Sequence, residues 1–260
     1  MSTQFINGLA VEVEGDGEAV LCIHGLGGSS NTWTPVLSAL MGFRRVLPDL
    51  PGSARSTVPD GPISIQGYVQ ALVEVLADLG ISSAHVVAHS LGTVVAQHLT
   101  VEHPKLVKSL VLFGPLVAPT DAARAGTLKR AELAKSGSAA MQEIADAIVQ
   151  GATSKETKAH RPAVLAAVRE SVMRQPPLGY AKSCEALAAA QSAEIERIAV
   201  PTLLVTGDQD GVAPGANVRA MAERIAGSAV SVLEECGHWT TLERPEGCME
   251  ELQKFYAGFR

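Results

Sequence analysis

Ser90 sits in the run Val86-Val87-Ala88-His89-Ser90-Leu91-Gly92-Thr93. The apolar residues before it predict a strand, and Thr93 to Val101 predict a helix. Small side chains two places before and two places after a serine are what a sharp strand-to-helix bend requires, because larger ones would collide. Such a bend lifts the hydroxyl above the sheet and aims helix N-terminal N–H groups toward it. A serine that only caps the helix would occupy the same place, so partners elsewhere must distinguish a nucleophile. A hydroxyl needs a base to take its proton, and the base needs a carboxylate to orient it. His238 follows the last apolar run, in Glu235-Cys236-Gly237-His238-Trp239. Asp208 and Asp210 follow the run before, in Thr206-Gly207-Asp208-Gln209-Asp210. Together these residues could carry out acyl transfer, with either aspartate as the acid. His85 lies within a strand, His98 and His103 on or after a helix, and His160 in a helical stretch, so these are read as structural.

Positioning these groups requires a sheet whose strand ends open on one side. Short, nearly continuous apolar runs predict strands at Leu9–Val13, Val20–Ile23, Arg45–Pro48, His85–Ala88, Lys108–Phe113, Thr202–Thr206 and Val230–Leu233. Helical patterns separate most of them. From Ile65 to Leu79 the apolar residues recur at three- and four-residue spacing, and Gly80 supplies a stop. Alternating strands and helices predict an α/β fold with a mostly parallel twisted sheet and helices on both faces. Ligands of such sheets bind at the carboxyl ends of the strands. The alternation lapses between Ala118 and Arg197, where helical spacing recurs at Leu128–Leu133 and Met141–Val149, and Pro162, Pro176 and Pro177 punctuate the chain. A connection this long is too long for an ordinary loop. It is expected to be a helical cap, residues 118–197, over a core of residues 1–117 and 198–260.

Composition narrows the classes. The 260 residues are 47% hydrophobic and 18% charged, with a net charge of −6. That is ample for a sizeable core, and it leaves no basic surplus for nucleic acid. No run of about 20 apolar residues could span a membrane. The N-terminal stretch lacks a basic segment followed by an apolar one, so a cytoplasmic protein is expected. Cys22, Cys184, Cys236 and Cys248 form no C-x-x-C pair and read as reduced and buried. No histidine or carboxylate spacing matches a metal site, and no cofactor is expected. Gly25-Leu26-Gly27-Gly28-Ser29-Ser30 partly matches a dinucleotide fingerprint, but Ser replaces the last Gly, and Ser90, Asp210 and His238 would be left unexplained.

Several motifs occur together in a set order: His24-Gly25-Leu26-Gly27-Gly28, Asp49-Leu50-Pro51-Gly52-Ser53-Ala54-Arg55-Ser56, Ala88-His89-Ser90-Leu91-Gly92, Gly207-Asp208-Gln209-Asp210 and Gly237-His238-Trp239. In these the chain resembles the α/β-hydrolase fold superfamily over nearly its full length. The resemblance implies a triad of Ser90, Asp210 and His238, with the second aspartate of the G-D-x-D loop as the acid. It implies an oxyanion hole made by the backbone N–H groups of Leu26 and Leu91, and a structural role for His24. Ala88 stands where glycine is usual. A serine at the elbow differs from the aspartate of dehalogenases and epoxide hydrolases of this fold. The implied reaction is hydrolysis of a small-molecule ester or lactone through an acyl-enzyme. Trp239 directly after His238 also resembles carbon–carbon hydrolases of ring meta-cleavage products, although His89 and Leu91 differ from the Asn and Met those enzymes favour. Some members keep a triad yet act as small-ligand receptors with slow turnover. Trp33, His89, Leu116, Val117 and Trp239 are expected to line the substrate pocket. Oligomeric state is not legible.

Overall fold

The structure, a computed structural model, describes residues 2–259; residues 1 and 260, the outer ends of the expected core segments, lie outside the described residues. Eight strands form one sheet: β1 (Ser2–Ile6), β2 (Leu9–Glu14), β3 (Ala19–Ile23), β4 (Arg44–Pro48), β5 (Ala84–His89), β6 (Val107–Phe113), β7 (Thr202–Gly207) and β8 (Ala229–Leu233). Their order across the sheet is β1-β2-β4-β3-β5-β6-β7-β8. β1, β2 and β4 pair antiparallel, and every pairing from β4 to β8 is parallel. The seven predicted strands all form, with ends shifted by one or two residues at most. β1 is the addition. Its sequence, Ser-Thr-Gln-Phe-Ile, is exposed at four of five positions, so an edge strand with a solvated face left no apolar run to find.

Alternation along each central strand divides the core in two. Leu21, Ile23, Val86, Ala88, Leu110, Leu112 and Leu204 face α1 (Ile65–Asp78), α2 (Leu91–Glu102) and, further along the sheet, α8 (Gly215–Glu223). Their neighbours Val20, Cys22, Val87, Val111, Phe113, Leu203 and Val205 face a run of 3-10 turns at Ser30–Leu40 and the last helix, α10 (Pro245–Ala257). Because side chains alternate along a strand, one continuous apolar run supplies both faces. The α1 boundaries follow from its caps. The Ser64 side chain accepts the Gly67 N–H at 3.0 Å, and the chain leaves the helix through Gly80 at φ +68°, a left-handed conformation that favours glycine.

Between β6 and β7 the chain passes through five α-helices, α3 (Asp121–Ala134), α4 (Ser138–Ala152), α5 (Lys155–His160), α6 (Pro162–Met173) and α7 (Pro177–Ala189), and a 3-10 turn at Ile195–Arg197. Pro162 and Pro177 open α6 and α7, where a missing N–H costs nothing. α3 packs on α7 and α4 on α6, around a separate cluster that includes Met141, Ile144, Val168, Val172 and Tyr180. A short helix, α9 (Thr240–Glu243), follows β8. The four cysteines are buried and unbridged. No helix of the described residues is long and apolar enough to cross a membrane.

Candidate active site

The turn from β5 into α2 holds Ser90 at φ +51°, ψ −119°, a conformation that is strained for a residue with a side chain. Two contacts hold it there. The Ser90 N–H donates to the Phe113 carbonyl of the adjacent strand at 3.0 Å. Gly92, two residues on, lies so close to β3 that a Cβ would fall 2.5 Å from the Ile23 carbonyl oxygen. The small residue after the serine is thus required by the neighbouring strand as well as by the turn.

Ser90 donates its hydroxyl hydrogen to His238 Nε2 at 2.8 Å, and His238 Nδ1–H donates to Asp210 Oδ2 at 2.8 Å. All three side chains are buried. Gly114, just past β6, makes room for the imidazole: a Cβ there would sit 2.9 Å from His238 Cε1. Asp210 is fixed by the N–H groups of Val212 and Ala213, each 2.8 Å from Oδ1, and by Thr206 Oγ1 at 3.3 Å. Burial works to raise the Asp210 carboxyl, but the neighbouring His238 and these hydrogen bonds outweigh it and hold it at about 2. Asp208 points elsewhere. It is exposed, and its Oδ1 accepts the Cys236 N–H at 3.0 Å. Of the two candidate aspartates, the fold brings Asp210 to the histidine.

The glycine loop after β3 lies beside Ser90. His24 is buried, with Nδ1–H donating to the Gly25 carbonyl at 2.8 Å and Nε2 accepting the Leu50 N–H at 2.9 Å. Burial lowers its pKa against the opposing charge of Asp49. The imidazole therefore stays neutral and ties its loop to the end of β4. Asp49 in turn accepts from the Ser30 N–H at 2.8 Å and from Arg55 Nε at 2.7 Å. Among the described residues the N–H groups of Leu26 and Leu91 meet no acceptor.

A cavity of about 810 Å³ opens over Ser90 and His238. Leu26, Leu116, Val117 and Trp239 line it. Trp33 and His89 do not. Trp33 is fully buried on the opposite face of the sheet, 6.2 Å from the Phe113 ring; its position in the run of 3-10 turns directs it under the sheet. His89 points away from the cavity because it precedes the serine on β5. Its Nε2–H donates to the His238 carbonyl at 2.8 Å, and its ring lies 5.1 Å from that of His238. Burial, aided by the nearby His238, lowers its pKa to about 3, so it stays neutral and supports the His238 loop.

Two buried groups that the motifs did not single out join the site to the inserted helices. Glu243 accepts the Gly237 and Trp239 N–H groups at 3.1 Å each, on either side of His238. It also accepts the Ser154 N–H at 2.7 Å and the Thr157 hydroxyl at 2.8 Å. Gln175 donates to the carbonyls of Gly27 and Gly28 at 3.2 and 3.1 Å and accepts the Ala54 N–H at 2.9 Å. Gln175 has no local sequence signal, since it bridges residues far apart in the chain. Among the described residues no His, Cys, Asp or Glu set of three or more is arranged to hold a metal ion.

Comparison with known proteins agrees with this architecture. A 2-hydroxymuconate semialdehyde hydrolase of Pseudomonas putida is 28% identical over 258 residues, covering 94% of this chain and 89% of that one. Among solved structures, a thermophilic esterase from Thermogutta terrifontis superposes with a TM-score of 0.91 at 23% identity, covering 99% of this chain and 98% of that one. The enol-lactonase of Burkholderia xenovorans LB400 gives 0.90 at 24% identity, covering 98% and 100%. The family model for the alpha/beta hydrolase fold matches residues 18–245. With most of its length matched in this way, the chain belongs to the alpha/beta hydrolase family.

Proposed function

We propose that this hydrolase cleaves a carboxylic ester or lactone through an acyl-enzyme on Ser90. The observation that carries the reading is the unbroken relay from Ser90 Oγ to His238 Nε2 and from His238 Nδ1 to Asp210, both steps at 2.8 Å. Ser90 Oγ attacks the carbonyl carbon while its proton passes to His238 Nε2. The carbonyl oxygen becomes an oxyanion that the Leu26 and Leu91 N–H groups receive. Collapse breaks the bond to the leaving oxygen, which takes the proton from His238. Water then attacks the acyl carbon, gives a proton to His238, and the second collapse returns that proton to Ser90. Asp210 holds the imidazole with Nδ1 protonated and stabilises the cation that forms between steps.

Residues 118–197 act as a cap over a core of residues 1–117 and 198–260. Support for this comes from Thr127, Arg130, Ile148 and Tyr180, which share the cavity wall with Ser90. A second substrate class, the carbon–carbon bond of a ring-cleavage product, draws support from Trp239 on the cavity wall and from the Pseudomonas relative. Hydrolysis of 4-nitrophenyl acetate, butyrate and octanoate by wild type and Ser90→Ala tests the main reading. Many turnovers in the wild type, lost in the variant, are expected. A single burst equal to the protein concentration would instead indicate a receptor.

A further inference from the structure

The turn that carries the Leu26 N–H is held from two sides. The Gly25 carbonyl closes it by accepting the Gly28 N–H at 3.0 Å. Gly27 stands third in the turn at φ +78°, the left-handed value that a type II turn asks of that position. The turn lies against the serine: a Cβ on Gly25 would fall 2.8 Å from Ser90 Cβ. On the core side, His24 Nδ1–H donates to the same Gly25 carbonyl at 2.8 Å. On the other side stand the inserted helices. Ser171, on α6, donates its hydroxyl hydrogen to the Gly27 carbonyl at 2.8 Å. Gln175 Nε2 reaches that carbonyl at 3.2 Å and the Gly28 carbonyl at 3.1 Å. The Gln175 amide can sit only one way round, because its Oε1 accepts the Ala54 N–H at 2.9 Å. Its Nε2 also donates to the Ser171 carbonyl at 2.8 Å, which ties the two residues together. Val172 closes over Gly27 between them, where a Cβ on the glycine would be 3.0 Å from Cγ2.

The Gly27–Gly28 peptide is thus fixed at both ends, its N–H by Gly25 and its carbonyl by Ser171 and Gln175. Among the described residues only these two side chains reach the Gly27 carbonyl. A carbonyl covered by other residues loses stability when it is left unpaired, so the turn keeps this orientation while the inserted helices are seated on it. A donor that tilts or withdraws by a fraction of an ångström loses much of its hold on a developing oxyanion, since hydrogen bonds weaken steeply with distance and angle. We infer that Ser171 and Gln175 are positioning residues for the oxyanion hole. Through the Gly27 carbonyl the inserted helices set the direction of the Leu26 N–H, and so act on the chemical step as well as on what is bound. This rests on the proposed hydrolysis at Ser90, with Leu26 as one of the two donors.

The test separates the oxyanion from ordinary binding. Ser90 Oγ adds to the carbonyl carbon of hexyl trifluoromethyl ketone, its proton passes to His238, and the carbonyl oxygen becomes an oxyanion. Hexyl methyl ketone, too weak an electrophile to add, measures binding alone. With 4-nitrophenyl butyrate, Ser171→Ala is expected to lower kcat by about fivefold and Ser171→Ala with Gln175→Ala by about thirtyfold, short of the roughly 10²–10³-fold that follows outright loss of a donor. KM and the Kd of the methyl ketone should stay within about twofold, while the trifluoromethyl ketone weakens in step with kcat. Ser171→Thr, which keeps the hydroxyl, should restore most of the rate, and the pH dependence set by His238 should not move. Assays run below each variant's thermal transition, and Ser171→Ala, which leaves Gln175 in place, gives the reading if the double variant does not fold. A change in KM alone, or a loss of kcat with the ratio of the two ketone affinities unchanged, overturns the inference and leaves hydrolysis intact. Weaker trifluoromethyl ketone binding by the variants, in a protein that turns over no ester, keeps the inference and drops the hydrolysis reading. A wild type that neither turns over nor binds the trifluoromethyl ketone more tightly than the methyl ketone overturns both.

Discussion

The strand-end loops and the inserted helices meet at one cavity, but they are built differently. The loops carry the groups proposed to react, and backbone geometry fixes each one. Ser90 sits at a positive φ between two strands, Asp210 is held by two backbone N–H groups, and His238 rests against Gly114. The inserted helices carry no member of the relay. They have their own apolar cluster and are joined to the loops by buried polar groups such as Glu243 and Gln175. The difference teaches where chemistry and recognition are separable. A change in the loops should alter the reaction itself, whereas a change in the helices away from these joints should alter what is held and how firmly.

The largest effect expected is in the loops. Ser90→Ala or His238→Ala should lower kcat by about a thousandfold or more, with the thermal transition nearly unchanged, as steady-state rates and calorimetry would show. Asp210→Asn should cost about 10⁴-fold in kcat, because the imidazole loses the acceptor that fixes its tautomer. Asp208→Asn should stay within about threefold of wild type. Reversal of that pair would break the assignment of the acid. At the junction, Glu243→Gln should lower kcat by about tenfold while KM moves less, since small displacements of a base are costly. An effect on KM alone would place Glu243 with the helices instead of with the histidine loop. Gln175→Ala should cost about 1–3 kcal/mol of stability by stranding the Gly28 carbonyl and the Ala54 N–H, measured by denaturant unfolding.

The smallest effect concerns pH and stability. The Asp210 carboxyl lies at about 2, below its ordinary value of 3.8. Its ionised form therefore stabilises the fold fully above the ordinary value, and that contribution, about 2 kcal/mol, is lost as pH falls toward the folded value. Between about pH 4 and pH 2, wild-type stability should fall more steeply than that of Asp210→Asn. Parallel curves would contradict the geometry around the carboxylate.

The same contrast explains what could be seen in the sequence. Strands buried on both faces are continuous apolar runs, so seven of the eight were legible, and the loops after them carry short contiguous motifs. Ser90, Asp210 and His238 each sit in such a loop. β1 escaped because its residues are polar and exposed. Nearness to strand ends puts Trp33 and His89 in the expected pocket, but sequence proximity does not tell which face a side chain takes. His89 precedes the serine and so points behind the site, and Trp33 lies below the sheet. In the inserted helices, proline and apolar spacing mark the elements, but the contacts that join them to the loops involve residues far apart in the chain. Glu243 with Ser154 and Gln175 with Gly27 are brought together only by packing.

The central claim is that Ser90 becomes acylated. Mass spectrometry of protein quenched during turnover of 4-nitrophenyl acetate tests it directly. A single acetyl adduct on the peptide containing Ser90, which forms with the nitrophenol burst and disappears when substrate is exhausted, is the expected result. Turnover with no adduct, or an adduct on another residue that persists in Ser90→Ala, would contradict it.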